Sequence, residues 1–223
     1  MTTPATPPAQ DQPLSLAETP SDGSASPAPA AVVKSVCVFC GSSSRVDQRR
    51  KDEATALGHA MAKAGLALVY GGGRVGLMGL VADAAMQGGT RVSGVIPRFL
   101  HDHEVAHTGV TDLEITDSMH DRKRRMYELS DAFVIMPGGL GTLDETLEVL
   151  TWTQLGLSQK PVIICNFDGF WQPLLDLIDH TIAAGFTRPE NRDIFKVVDK
   201  VEDIIPALRS ITQVKSDPSG KWI

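Results

Sequence analysis

The stretch Pro137-Gly138-Gly139-Leu140-Gly141-Thr142-Leu143-Asp144-Glu145 brings together residue types suited to holding an anion. It follows the apolar run Ala132-Phe133-Val134-Ile135-Met136, which reads as a buried strand, and leads into a helical pattern that continues past Trp152. A strand, glycine turn, helix junction lets the backbone approach a ligand closely. The helix start then offers unpaired N–H groups and a partial positive charge, a setting that suits phosphate. The same residues also spell a capping box, with Thr142 as N-cap and Glu145 three positions on, and a capped turn needs no ligand. Both readings stand on this pattern, because a capped turn can also hold a phosphate.

A second set lies in Ser118-Met119-His120-Asp121-Arg122-Lys123-Arg124-Arg125-Met126. At 3.6 residues per turn, Met119, Arg122, Met126 and Leu129 share one side of a helix, with Lys123 at its margin, whereas Arg124 and Arg125 point elsewhere. Arg122 is thus expected on the inward side, where an unpaired guanidinium is costly. It needs an anionic partner, either a carboxylate of the protein or the ligand itself.

Two further patterns match known motifs without their full context. Gly71-Gly72-Gly73-Arg74-Val75-Gly76 satisfies G-x-G-x-x-G between a strand and a helix, but the next strand ends in Pro97-Arg98 where a dinucleotide site needs an acid for the ribose. Close backbone packing, or one wall of a nucleotide pocket, is the better reading. His103-Glu104-Val105-Ala106-His107 matches H-E-x-x-H, yet it lies between Pro97 and Gly109 with no apolar stripe to hold a helix. A loop is expected there, and no zinc site.

The elements that must position these residues alternate in type. Strands are expected over residues 32–40, 66–70, 91–96, 112–116, 132–136, 161–165 and 194–197. Helices are expected over 52–64, 76–87, 120–129, 142–155, 169–184 and 201–211. This order specifies an α/β fold, a single doubly wound parallel sheet with helices on both faces, whose ligands bind at the carboxyl ends of the strands. The turns at Gly41, Gly71 and Gly138 all fall at such ends. The helix after Gly138 has two apolar sides: Leu143, Leu147 and Leu150 on one, Val149, Trp152 and Gly156 on the other. One packs on the sheet, and the Trp152 side is expected at a subunit interface, where tryptophan is enriched.

Composition narrows the partners. A net charge of -6 gives no general attraction to nucleic acid or an anionic membrane surface, so any phosphate must be bound locally, as on a small ligand. No segment is apolar for long enough to span a bilayer. Three cysteines make neither a disulfide framework nor a zinc site, and the expected compartment is the reducing cytoplasm. Residues 1–31 carry half of the 14 prolines and no Lys or Arg, and read as a disordered Pro/Ala/Ser-rich tail. That leaves one domain over residues 32–213 and a short C-terminal tail over 214–223.

Taken together, Met119-His120-Asp121-Arg122-Lys123, the stretch from Pro137 to Glu145, Thr151-Trp152-Thr153-Gln154-Leu155-Gly156 and Lys160-Pro161-Val162 resemble the Lonely Guy family. Its members are cytokinin riboside 5'-monophosphate phosphoribohydrolases, many of them once labelled lysine decarboxylases. The resemblance spans residues 33–186 and includes Gly71-Gly72-Gly73 and Gly76-Leu77-Met78-Gly79. It implies a Rossmann-like domain, dimeric or in some branches hexameric, with no metal and no organic cofactor. It places the catalytic pair on Arg122 and Glu145. Nucleotide contacts fall on Glu104, Arg122, Lys123, Gly138, Gly139, Leu140, Gly141 and Thr142. Leu140 stands where many relatives have an aromatic residue or glycine, which leaves the subgroup open.

The implied reaction is hydrolysis of the N-glycosidic bond of AMP or an N6-modified AMP, giving free base and ribose 5-phosphate. Such cleavage builds positive charge on the ribose, which a carboxylate beside the sugar stabilises while it orients or deprotonates water. The alternative is a nucleotide-binding or carrier protein that uses the same turn without chemistry. A decarboxylase would demand a pyridoxal phosphate lysine, and nothing around Lys123 or Lys160 marks one.

Overall fold

The computed structural model describes residues 32–101 and 105–210. The two expected tails and Glu104 lie outside that set.

The strand-like runs all form strands, those in the middle of the sheet buried on both faces. The strands are β1 (Ser35–Phe39), β2 (Ala67–Tyr70), β3 (Val92–Pro97), β4 (Asp112–Thr116), β5 (Ala132–Ile135), β6 (Val162–Cys165) and β7 (Lys196–Val198). All pairings are parallel, in the order β4-β3-β2-β1-β5-β6-β7. β5 and β6 are buried at every position, as expected of strands in the middle of a parallel sheet.

The connecting helices are α1 (Gln48–Lys63), α2 (Gly76–Gln87), α3 (Arg98–Leu100), α4 (Met119–Glu128), α5 (Leu140–Gln154), α6 (Gln172–Ala183) and α7 (Ile204–Ser210). One core layer joins α1, α2 and α7 to the sheet through Leu57, Met61, Leu77, Val81 and Leu208. The other joins α4, α5 and α6 through Met126, Val149, Leu150, Leu174 and Leu175. Each large side chain so buried contributes about 1.5–3 kcal/mol. Helices therefore cover both faces, as the alternation of elements requires.

Strand order reverses at β1, whose neighbours are β2 and β5. A crevice opens outside the strand ends at such a reversal, and the three glycine turns meet there. The Gly41 amide donates to the Pro137 carbonyl at 3.0 Å, and the Leu77 amide donates to the Gly41 carbonyl at 3.0 Å. The turn after β1 thus ties the start of α2 to the end of β5.

Several boundaries differ from those read in the sequence. α1 starts at Gln48 and not at residue 52, because the Asp47 carboxylate caps it by accepting from the Arg50 amide at 2.9 Å. α6 starts only at Gln172, since Asp168 (φ 51°) and Gly169 (φ 72°) turn the chain left-handed first. The short helix α3 had no periodicity by which to be seen. On α5 the buried residues are Thr142, Glu145, Thr146, Val149, Leu150 and Thr153. The leucine side read as one stripe is split, with Leu150 inward and Leu147 at 47% exposure. Trp152, expected at an interface for want of a partner, meets the Tyr127 ring edge-on at 4.9 Å between centroids.

Candidate active site

Arg122 comes from the inward side of α4, as its spacing requires, and is only 7% exposed. Ser118 starts that helix by accepting from the Asp121 amide at 3.1 Å. The guanidinium is held at three points. Its Nε donates to the Val95 carbonyl at 3.1 Å, its Nη2 donates to the Gly71 carbonyl at 3.2 Å, and its Nη1 lies 3.3 Å from Glu145 Oε1. The anionic partner is therefore a carboxylate of the protein. A Cβ at Gly71 would land on the guanidinium, so a larger residue there must displace the arginine.

Glu145 sits in the second turn of α5 and is 7% exposed. It is not part of a capping box. α5 opens two residues before Thr142, with Gly139 as an N-cap that supplies no side-chain bond. The difference follows from Gly138, whose missing side chain lets Thr142 fold beneath it, buried at 4% exposure. The first helical bond closes from the Leu143 amide to the Gly139 carbonyl at 3.0 Å. The amides of Leu140, Gly141 and Thr142 have no acceptor within the helix, which is the condition for holding an anion at its start. Gly139, Leu140 and Gly141 are open to solvent.

Burial pushes the Glu145 carboxyl up to about 7, opposed by Arg122 and Lys123 and assisted by Asp144 and Glu148. A carboxyl poised there can exchange a proton near neutral pH, as a general base must. Lys123, beside Arg122, bonds to Asp144 at 3.1 Å and Glu148 at 3.2 Å. α4 and α5 are thus joined by a buried pair and, beside it, a half-exposed one.

Comparison with known proteins fits this arrangement. A family model described as "Possible lysine decarboxylase" matches residues 78–208. Cytokinin riboside 5'-monophosphate phosphoribohydrolase LOG1 of Arabidopsis thaliana is 42% identical over 190 residues, covering 82% of this chain and 89% of that protein. The cytokinin riboside 5'-monophosphate phosphoribohydrolase of Rhodococcoides fascians is 46% identical over 178 residues, covering 79% of this chain and 90% of its own. This chain belongs to the Lonely Guy family. Among solved structures, the molybdenum cofactor binding protein of Rippkaea orientalis matches with a TM-score of 0.62 at 20% identity, over 81% of this chain and 98% of that one. At that identity the likeness concerns the fold alone.

Of the positions that the Lonely Guy resemblance selects, Arg122 and Glu145 are in contact, and Gly138 to Thr142 form the open turn that leads to them. Lys123 is engaged by two acids of α5. Leu140 projects at 85% exposure, and Glu104 lies outside the described residues. After it, Val105 is π-helical, but Ala106 and His107 are not. Ala106 pairs in an antiparallel bridge with Gly73, and His107 bonds to Asp83 at 2.9 Å, so the H-E-x-x-H spacing does not place His107 on a helix as a zinc ligand. Among the described residues no group of three His, Cys, Asp or Glu is placed to hold a metal ion, and no helix is long and apolar enough to cross a membrane.

The decarboxylase description would call for pyridoxal phosphate on a lysine, and neither candidate fits. Burial alone would lower the pKa of Lys123, but its bonds to Asp144 and Glu148 hold it above the ordinary value, the reverse of an activated amine. Lys160 precedes β6, at the opposite end of the sheet from the glycine turns, and donates to the Tyr127 carbonyl at 2.6 Å. What the sequence did not disclose is the pair of backbone carbonyls, Gly71 and Val95, that hold Arg122. The run of three glycines at 71–73 was the one available signal for the first of them.

Proposed function

We propose that this chain hydrolyses the N-glycosidic bond of cytokinin riboside 5'-monophosphates, or of AMP, to free base and ribose 5-phosphate. The observation that carries this reading is the buried contact of Glu145 with Arg122 beside an uncapped glycine turn. In it, the amides of Leu140, Gly141 and Thr142 bind the 5'-phosphate, with Gly138 and Gly139 giving the backbone room to approach. The ribose then lies over Glu145. As a carboxylate, Glu145 offsets the positive charge that grows on the sugar and orients or deprotonates the attacking water. Arg122 fixes the carboxylate and supplies a positive charge for the leaving purine. Lys123 and Glu104 complete the nucleotide contacts.

The reaction needs no cofactor, since the base leaves with the bond electrons and water supplies the hydroxyl at the anomeric carbon. The three cysteines are buried and unpaired, which suits work in the cytoplasm. The working form in this proposal is a homodimer or a hexamer of single-domain chains spanning residues 32–213. Incubating the full chain with AMP and with isopentenyl-AMP, followed by chromatography, tests the activity. Free base and ribose 5-phosphate in equal amounts are expected. Binding of either nucleotide without release of base would instead establish a carrier.

A further inference from the structure

His107 and Asp83 take no part in the chemistry just described, yet they are joined to it through the backbone. The His107 ring accepts at Nδ1 from the Gly109 amide at 3.3 Å and lies with Nε2 2.9 Å from Asp83 Oδ1. Nε2 therefore carries the hydrogen, and the Asp83 carboxylate accepts it. Asp83 belongs to α2, the helix into which the Gly71–Gly76 turn runs. The backbone around His107 returns to that same turn. The His107 amide donates to the Gly72 carbonyl and the Arg74 amide donates to the Val105 carbonyl, both at 2.8 Å. Between these bonds Ala106 pairs with Gly73.

The turn so enclosed is backbone that would otherwise be soft. Gly72 is left-handed (φ 72°), and the turn lies on β3 so closely that a Cβ at Gly94 would come within 2.9 Å of the Gly72 Cα. Its first residue supplies the carbonyl that receives Arg122 Nη2. We propose that the Asp83–His107 pair is a positioning device for Arg122: by clamping residues 105–107 onto the turn, it holds the Gly71 carbonyl where it aims the guanidinium at Glu145. His107 and Asp83 are positioning residues, since neither touches the reacting groups. The inference rests on Arg122 and Glu145 being the reactive centre.

The test reads the Glu145 carboxyl directly, without turnover. In the full chain labelled with 13C at glutamate side chains, the Glu145 signal is assigned by its loss in Glu145→Gln and followed against pH. The charged and titratable groups that bear on it are Arg122 and Lys123 from α4 and Asp144 and Glu148 from α5. Its own charge acts in turn on Cys37 of β1 and on Cys40 just after it. Arg122 lowers the Glu145 pKa, so a displaced guanidinium raises the midpoint. Asp83→Ala and His107→Ala are expected to raise it by about half a pH unit or more, and Asp83→Asn, which keeps an oxygen acceptor for Nε2–H, to restore it. Simple removal of a negative charge at Asp83 acts in the opposite direction, lowering the midpoint. The side chain of Asp83 is 53% exposed and alanine favours helix, so Asp83→Ala should fold. A melting temperature that falls while the midpoint stays at the wild-type value in both alanine variants would overturn the proposal. Turnover, expected to drop about tenfold in the alanine variants, is measured separately. Absence of hydrolysis in the wild type would then count against the hydrolase reading and not against the clamp.

Discussion

Glu145 is subject to two opposed influences: burial favours its neutral form, and Arg122 at 3.3 Å favours the charged one. Burial prevails, which has consequences for rate and for stability. If the carboxylate is the working form, kcat/KM rises as pH passes upward through about 7 and is lost on the acid side. Stability runs the other way. The carboxyl has a higher pKa in the folded chain than the usual 4.5, so between that value and about 7 the folded state binds more protons than the unfolded one, and stability falls as pH rises. Glu145→Gln removes this slope. It is expected to melt near wild type at about pH 5, where the wild-type carboxyl is protonated, and to gain on wild type towards about pH 8. Its base release should fall at least about a hundredfold while AMP still binds. Calorimetry at the two pH values and a single-turnover assay check both halves, and a variant that kept most of its turnover would remove Glu145 from the chemistry.

Arg122 makes a different demand, because its three contacts use the planar fork of the guanidinium in separate directions. A lysine ammonium cannot reach the Val95 and Gly71 carbonyls and Glu145 together. Arg122→Lys is expected to lose at least about tenfold in kcat and to raise the midpoint of the pH–rate profile. An unchanged profile would mean that positive charge alone suffices.

At the level of elements, the site is an intersection of three turns and two helices. α5 contributes its uncapped start and, one turn on, its inward carboxylate, while α4 contributes the arginine. The turn after β2 contributes only backbone, and its tolerance is correspondingly small. Gly71→Ala places a methyl group where the guanidinium lies, and the flexible arginine has to yield, since the turn itself is held by Gly94 and by residues 105–107. Turnover should fall about ten- to a hundredfold with little change in circular dichroism. Normal turnover would show that the Gly71 contact is dispensable.

For the whole molecule, the packing of α5 revises where a second copy would attach. Trp152 has an intramolecular partner in Tyr127, whereas Leu140 and Leu147, two helical turns apart, project from α5 at 85% and 47% exposure. The proposed dimer is expected to cover this stripe. Leu147→Glu should then move the mass measured by light scattering towards that of the monomer, whereas Trp152→Glu should chiefly lower the melting temperature. A dimer unaffected by Leu147→Glu would place the interface on another face.

Fold class, element order and the carboxyl-end location of the turns were legible in the sequence because they depend on local periodicity and turn chemistry. The inward side of α4 was equally legible: Arg122 and Met126 are buried as the helical repeat requires, and Arg124 lies outward. Element starts were less so. Thr142 and Glu145 have the spacing of a capping box, but the sequence cannot show that Thr142 packs under Gly138 and that the helix therefore opens earlier. The same holds for Trp152, whose partner Tyr127 lies on another helix. Only the tertiary structure decided which carboxylate meets Arg122 and which carbonyls hold it, since Gly71 is 51 residues away and Val95 is 27. Likewise His107 meets Asp83 across 24 residues. Local sequence determines which way a side chain leaves its own helix or strand. What it meets depends on strand order and on how closely neighbouring turns approach, and these are set by packing of the whole sheet.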